Sequence, residues 1–258
     1  MSDLVKTDPN KALVKGGVGL NSKYTKIRPD RIVVVQPTST TGTPGKFRFS
    51  ATGEEFSELQ LVHLQDREGR TYFEGTDFKA ENLICYSEDN ILPSKNARIP
   101  QSLDCASCAH SDWTKYRQTR NILDLPKCKE VLHALVLERS SGLPFNFDIR
   151  GKSISGYAEA LQIIARKCVL MQAKGLNPNV YDFSFKVTLM RSGTYYVIKV
   201  VEGSVGLIKE EEREKFGELY VKYVSELERE KMEADEAIRE AKAVGEVETG
   251  LTTDGEYI

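Results

Sequence analysis

Residues Val131–Val201, VLHALVLERSSGLPFNFDIRGKSISGYAEALQIIARKCVLMQAKGLNPNVYDFSFKVTLMRSGTYYVIKVV, hold the element order that decides the fold. Val131–Leu137 reads as a strand and Ser140–Gly142 as a turn. Pro144–Ile149 (PFNFDI) reads as a second strand with alternating aromatics. Ile154–Ala173 is a helix, because Ile154, Tyr157, Ala158, Leu161, Ile164, Ala165, Cys168 and Met171 recur at helical spacing. Ser153 or Ser155 is placed to cap its start and Gly175 to stop it. Val180–Met190 alternates through Tyr181, Phe183, Phe185, Val187 and Leu189. Arg191–Gly193 is a turn, and Tyr195–Val201 is the returning strand.

Working outward, Arg31–Gln36 is a β-branched run and Pro37–Gly45 a turn-rich loop. Phe47–Ala51 alternates. Leu59–Leu64 and Arg70–Phe73 flank Asp66–Gly69 and read as a hairpin, and Asn82–Tyr86 is a further short strand. Strands, then one helix, then a last pair of strands predict a mainly β (α+β) chain, an OB-fold-like antiparallel barrel. This core spans 31–205. Residues 206–243 form a long charged C-terminal helix with Phe216, Tyr220, Tyr223 and Leu227 on one stripe. Residues 1–30 are a basic flexible arm, in which Lys15–Gly19 lacks the ending of a P-loop. Residues 244–258 are a disordered acidic tail.

The formal net charge of the 258 residues is −2, which hides a division. Residues 206–258 carry 8 basic and 16 acidic groups, whereas the rest of the chain has a net charge of +6. The first 50 residues alone hold 9 basic and 3 acidic groups. Such asymmetry points to a polyanionic partner. No stretch approaches a membrane span, and the N-terminus has no apolar h-region, so a cytoplasmic protein is expected.

Four of the five cysteines are spaced Cys85-x19-Cys105-x2-Cys108-x19-Cys128. They bracket or lie within Ser87–Lys127, a long segment with few apolar runs and no evident reason to be ordered. A structural zinc held by the four thiolates supplies that reason, in an insertion at about 82–130. His110 is the alternative fourth ligand, in a Cys3His set. Disulfides fit poorly without a secretion signal, and a redox CxxC normally opens a helix after a strand. Cys168, on the helix's apolar face, reads as a small core residue.

The same insertion interleaves Trp113 and Tyr116 with Lys115, Arg117 and Arg120, a pattern suited to base stacking with phosphate neutralisation. Lys186, Arg191, Tyr195, Tyr196 and Lys199 form a second candidate nucleic-acid set, around the last hairpin. Phe145, Phe147, Tyr181, Phe183 and Phe185 read as core. No HExxH, GxSxG or Walker motif occurs, and carboxylates near Glu54, Glu55, Asp66 and Asp77 have unremarkable spacing, so no enzyme is expected.

The basic arm, OB-like order, CxxC-containing insertion and acidic C-terminus together resemble phage single-stranded-DNA-binding proteins, in particular the zinc-containing helix-destabilising type. The run from Gly17-Val18-Gly19 through CYSED (Cys85–Asp89), CASCAHSDW (Cys105–Trp113) and Pro126-Lys127-Cys128 also looks like a group of phage proteins of similar size. The resemblance covers roughly residues 16–205. It implies sequence-independent binding and protection of single-stranded DNA in phage replication or recombination, in the host cytoplasm. Glu256, Tyr257 and Ile258 are similar to the tips by which such proteins recruit replication or recombination partners. The spacing before the CxxC is wider than in that family, and acids are sparser after Val244. The alternative expectation is a zinc-stabilised protein-interaction module acting on replication or transcription machinery.

Overall fold

The computed structural model describes residues 29–75 and 80–224. The arm through Arg28, Asp77, Leu227, the remainder of the expected C-terminal helix, and the tail with Glu256, Tyr257 and Ile258 lie outside the described residues.

Strands dominate. They are β1 (Asp30–Val34), β2 (Phe47–Phe49), β3 (Glu55–Phe56), β4 (Glu58–Phe73), β5 (Leu83–Ser87), β6 (Cys128–Glu138), β7 (Leu143–Arg150), β8 (Phe183–Ser192), β9 (Tyr195–Val200) and β10 (Gly206–Leu207). Helix α1 (Thr114–Thr119) lies in the insertion, and α2 (Lys152–Gln172) joins β7 to the last strands. Residues 210–224 are also helical. The sheet runs β10-β8-β4-β6-β7-β1-β2-β3, with β5 on β4 and β9 on β8. This mixed α+β chain forms a strongly curled half-barrel, compatible with an OB-like order.

The expected hairpin around Asp66–Gly69 does not form. Leu59–Leu64 and Arg70–Phe73 belong to the single 16-residue strand β4. It pairs with β6 from Leu61 to Tyr72, straight through the supposed turn. Gly69 is needed for space: a Cβ there would stand 2.6 Å from the Ser87 carbonyl oxygen and 2.7 Å from His133 Nε2. A bulge between His63 and Gln65 bends the strand. Being long, β4 serves three partners in turn: β8 along Glu58–Val62, β6 along most of its length, and β5 at Arg70–Phe73.

The barrel is also not wholly antiparallel. β1 runs parallel to β7, with Arg31 beside Asn146 and Ile32 beside Phe147. The β1–β2 loop is tied to β9 by the Gln36 side chain. It donates to the Tyr196 carbonyl (2.9 Å) and accepts from the Tyr196 N–H (2.8 Å), standing in for a strand partner.

Inside the curl, Ile32, Phe47, Phe145, Phe147, Phe183, Phe185 and Ile198 form the main core against Tyr157, Ala160 and Ile164 of α2. Each such side chain contributes about 1.5–3 kcal/mol by leaving water. Tyr181 is the exception among the aromatics assigned to the core strand. It precedes β8 in a 3₁₀ turn, Val180–Asp182, and lies 4.6 Å from Tyr220, centroid to centroid.

Neither serine caps α2, whose N-cap is Gly151. Ser153 Oγ accepts instead from the buried Ile198 N–H at 3.1 Å. Gly156 lies beneath the Ile198 carbonyl, where a Cβ would overlap the oxygen. Small residues therefore form a seam against β9 that an apolar-stripe reading does not weight. Gly156→Ala is expected to destabilise the fold by about 3 kcal/mol, seen as a lower urea midpoint at unchanged slope.

A second cluster covers the other sheet face at one end. Phe216 and Tyr223, from the helix at 210–224, pack on Val62, Leu64, Leu135 and Leu137. This part of the charged helix thus docks its aromatic stripe on the body. No helix among the described residues is long and apolar enough to cross a membrane.

Candidate functional site

Three elements deliver the four cysteines to one place. Cys85 sits on β5 opposite Tyr72, and Cys128 starts β6 opposite the same Tyr72. Cys105 and Cys108 come from the insertion. All four line one cavity of about 20 Å³, with Arg70, Tyr72, Ser87, His110 and Ser111. That volume holds a single small particle, not an organic cofactor.

The CxxC turn is held by its neighbours. Asp104 accepts from the Ser107 N–H and hydroxyl, both at 2.6 Å. Ser111 Oγ reaches the carbonyls of Cys105 (2.8 Å) and Cys108 (2.9 Å). His110 stacks on Tyr72 at 4.7 Å. Burial pushes the Cys105 thiol up, and it pushes Cys128 up to about 11, with neighbouring cysteines adding to both. Each is also pulled down by the charge of Arg70.

Among the described residues no three His, Cys, Asp or Glu side chains stand in metal-ligand geometry. The cysteines surround a cavity rather than closing on a point. Their chemistry nonetheless fits a soft divalent ion: four sulfurs, a small cavity and an adjacent cation. Of the carboxylates considered for a metal, Glu55 accepts from the Thr43 N–H (2.7 Å) and Asp66 lies 3.6 Å from His63. His63 itself is buried, with Nδ1 3.0 Å from the Tyr157 hydroxyl.

The two candidate nucleic-acid sets are not brought together. The first belongs to the insertion, beyond the Tyr72 end of β4. The β8–β9 tip lies past the Glu58 end, where Thr188 pairs with Glu58. The strand path between Glu58 and Tyr72 is about 46 Å at 3.3 Å per residue.

In the insertion, Trp113 is 38 % exposed and edge-on to Tyr116 at 5.9 Å. It is not among the residues lining the cysteine cavity. Lys115 pairs with Asp124 at 2.6 Å, while Arg117 and Arg120 are exposed. At the other end, Lys186 pairs with Glu58 at 2.8 Å. Arg191 Nε donates to the Gly193 carbonyl (3.2 Å), Tyr195 is exposed and Lys199 is exposed. Tyr196 is half-buried, and its ring lies against Gly45. Neither tyrosine belongs to a core cluster.

A third cationic group emerges from strand register. On the face opposite α2, Arg31, Asn146, Asp148, Arg150 and His133 alternate with core residues of β1, β7 and β6, and Arg67 of β4 pairs with His133. Among the described residues, the helix at 210–224 meets this face farther along, at Leu135 and Leu137. Asp148 Oδ1 is 2.7 Å from His133 Nδ1. Arg67 pairs with Glu88 at 3.5 Å, and Arg150 lies 5.4 Å from the Phe73 ring centroid.

Burial raises the Asp148 carboxyl, but the His133 hydrogen bond and the charges of His133, Arg31 and Arg150 outweigh it and hold it below the usual range. A depressed carboxylate contributes stability that is complete above about pH 4 and lost as pH falls through its folded value. Asp148→Asn should therefore give a shallower fall in urea midpoint as pH drops below about 4.

Sequence spacing gave no sign of this group, because its members come from four strands. Their common mark is a polar residue on the strand face opposite the core, which is also the mark of any solvated face. Comparison with known protein families, with curated proteins and with solved structures finds no match to this chain.

Proposed function

We propose that this chain binds single-stranded DNA without sequence preference, on an OB-like half-barrel stapled by a structural zinc. The observation that carries the reading is the outer sheet face, on which Arg31 and Arg150 are exposed. There the charges of Arg31 and Arg150 help hold the Asp148 carboxyl below its usual range, while His133 makes the hydrogen bond to it. Two guanidinium groups around one occupied carboxylate leave positive charge for a polyanion. The sequence before Pro29 adds six Lys or Arg and two Asp just ahead of β1, which starts at Asp30 beside Phe145. Trp113 and Tyr116 supply faces for base stacking, and Arg117 and Arg120 add charge beside them.

The four cysteines would hold the ion, which supplies cross-linking between β5, β6 and the insertion. With all four positions taken by thiolates, it has no open site for catalysis. On the same reading, the phage replication or recombination role and the partner-recruiting Glu256-Tyr257-Ile258 tip follow from the resemblance, and no enzymatic activity is assigned.

Fluorescence titration with poly-dT at two salt concentrations tests the reading. Binding should weaken steeply with salt and vary little with base composition. No binding below roughly 10 μM at low salt overturns it, since non-specific complexes reach about that range even at physiological salt.

One observation favours a second reading, a zinc-stabilised protein-interaction module. Leu103 is 93 % exposed and Leu123 86 %, both in the insertion. Under that reading poly-dT does not bind, and Leu103 with Leu123 anchors a protein partner.

A further inference from the structure

The outstanding polar group of the fold lies beside the cysteines. Arg70 is on β4, between Ser87 of β5 and Glu130 of β6. It lines the cysteine cavity, and its side chain is only 15 % exposed. Nε donates to Asn90 Oδ1, and Nη2 lies 3.4 Å from Glu130 Oε1. Nη1 is buried with no partner among the described residues. A buried guanidinium N–H left unmade is costly, and native structures seldom keep one without a reason.

The charge balance of the cavity supplies the reason. Four thiolates around a divalent cation carry a net charge of −2. Isolated from water, that charge is unfavourable unless a cation lies beside it. Arg70 already acts electrostatically on Cys105 and Cys128. Its planar fork is held at Nε by Asn90 and at Nη2 by Glu130, which leaves Nη1 as the unmade donor beside the cavity that Arg70 lines.

We infer that Arg70 is the positioning residue of the metal centre: its guanidinium offsets the charge of the tetrathiolate, and Nη1 is the donor reserved for a thiolate sulfur. This rests on the zinc reading of the four cysteines and adds a partner outside the ligand set. Such outer partners commonly alter metal affinity by about 10–100-fold.

The test uses the full chain and cobalt(II), whose sulfur-to-metal charge-transfer and d–d bands report tetrathiolate coordination. The native chain should bind about one equivalent with those bands. Arg70→Gln should keep the bands but hold cobalt at least about tenfold more weakly in chelator competition. Arg70→Lys should recover part of the loss, since it restores charge without the fork. Should Arg70→Gln not fold, guanidinium nitrogen spectra of the native chain give the same answer. One arginine Nη resonance should shift and sharpen on metal addition. Native chain without cobalt bands overturns the zinc reading itself. Cobalt bands in the native chain with unchanged affinity in Arg70→Gln, or no arginine resonance responding to metal, overturn the role of Arg70 alone.

Discussion

Replacing Cys105 and Cys108 together with serine is expected to abolish metal binding and unfold the insertion while leaving the curled sheet in place. The native chain should carry about one zinc by elemental analysis, and the variant essentially none. The two halves of the expectation follow from where the apolar contacts lie. No described side chain of the segment between β5 and β6 belongs to either core cluster. Backbone bonds tie the segment to the sheet at Ser94 N to Tyr86 O (2.7 Å) and Ile99 N to Ile84 O (3.0 Å). Leu103 and Leu123 point outward. Against that weak support, zinc binding to small cysteine sites releases about 10–16 kcal/mol. That matches or exceeds the whole stability of an ordinary domain, about 5–15 kcal/mol. The metal term therefore decides the insertion, and the aromatic core decides the sheet. Limited proteolysis should cut the variant within Glu88–Lys127, with β4, β6 and β7 still protected from hydrogen exchange. Equal protease resistance in native and variant chains would show that the cysteines do not hold the segment together. Cys168→Ser, at a partly buried position packed against the main core, should leave zinc content unchanged.

Local pattern carried the late half of the chain well. Alternating Phe145 and Phe147, then Phe183 and Phe185, place their rings in the core as period-two burial requires. The α2 periodicity, the order of β6, β7, β8 and β9, and the meeting of four cysteines were legible for the same reason: each rests on spacing within one element or on a count. The failures share a different cause. Asp66–Gly69 has turn composition, yet it lies inside β4 because β6 supplies an unbroken partner and Gly69 admits the His133 ring. Ser153 has the composition of a cap, yet it is claimed by Ile198. The parallel joining of β1 to β7 closes distant parts of the chain and has no local mark. Arg31, His133, Asp148 and Arg150 become neighbours only through those long-range pairings, so this cationic group was invisible while the cysteine spacing was plain.

The outer face makes the second large prediction. Reversing two charges there, with Arg31→Glu and Arg150→Glu together, should weaken poly-dT binding by about 10–100-fold near physiological salt. The salt slope measures how many phosphates are neutralised, at about 0.7 per contact on a single strand. Losing two contacts should thus lower its magnitude by about 1.4. A merely structural effect would not produce that change in slope at unchanged urea stability. Because both arginines also favour the Asp148 carboxylate, the variant Arg31→Gln with Arg150→Gln provides a milder control. It should show the same slope change without adding repulsion. The hairpin variant Arg191→Glu with Lys199→Glu separates the alternatives, since that tip lies at the far end of β4 from the cysteines. A strand held on the outer face by Arg31 and Arg150 does not require contact with the tip. The hairpin variant should then keep most of the affinity. If instead it loses binding while the outer-face variant retains it, the nucleic-acid path runs across the β8–β9 tip, and the excess charge around Asp148 is only a solvated face.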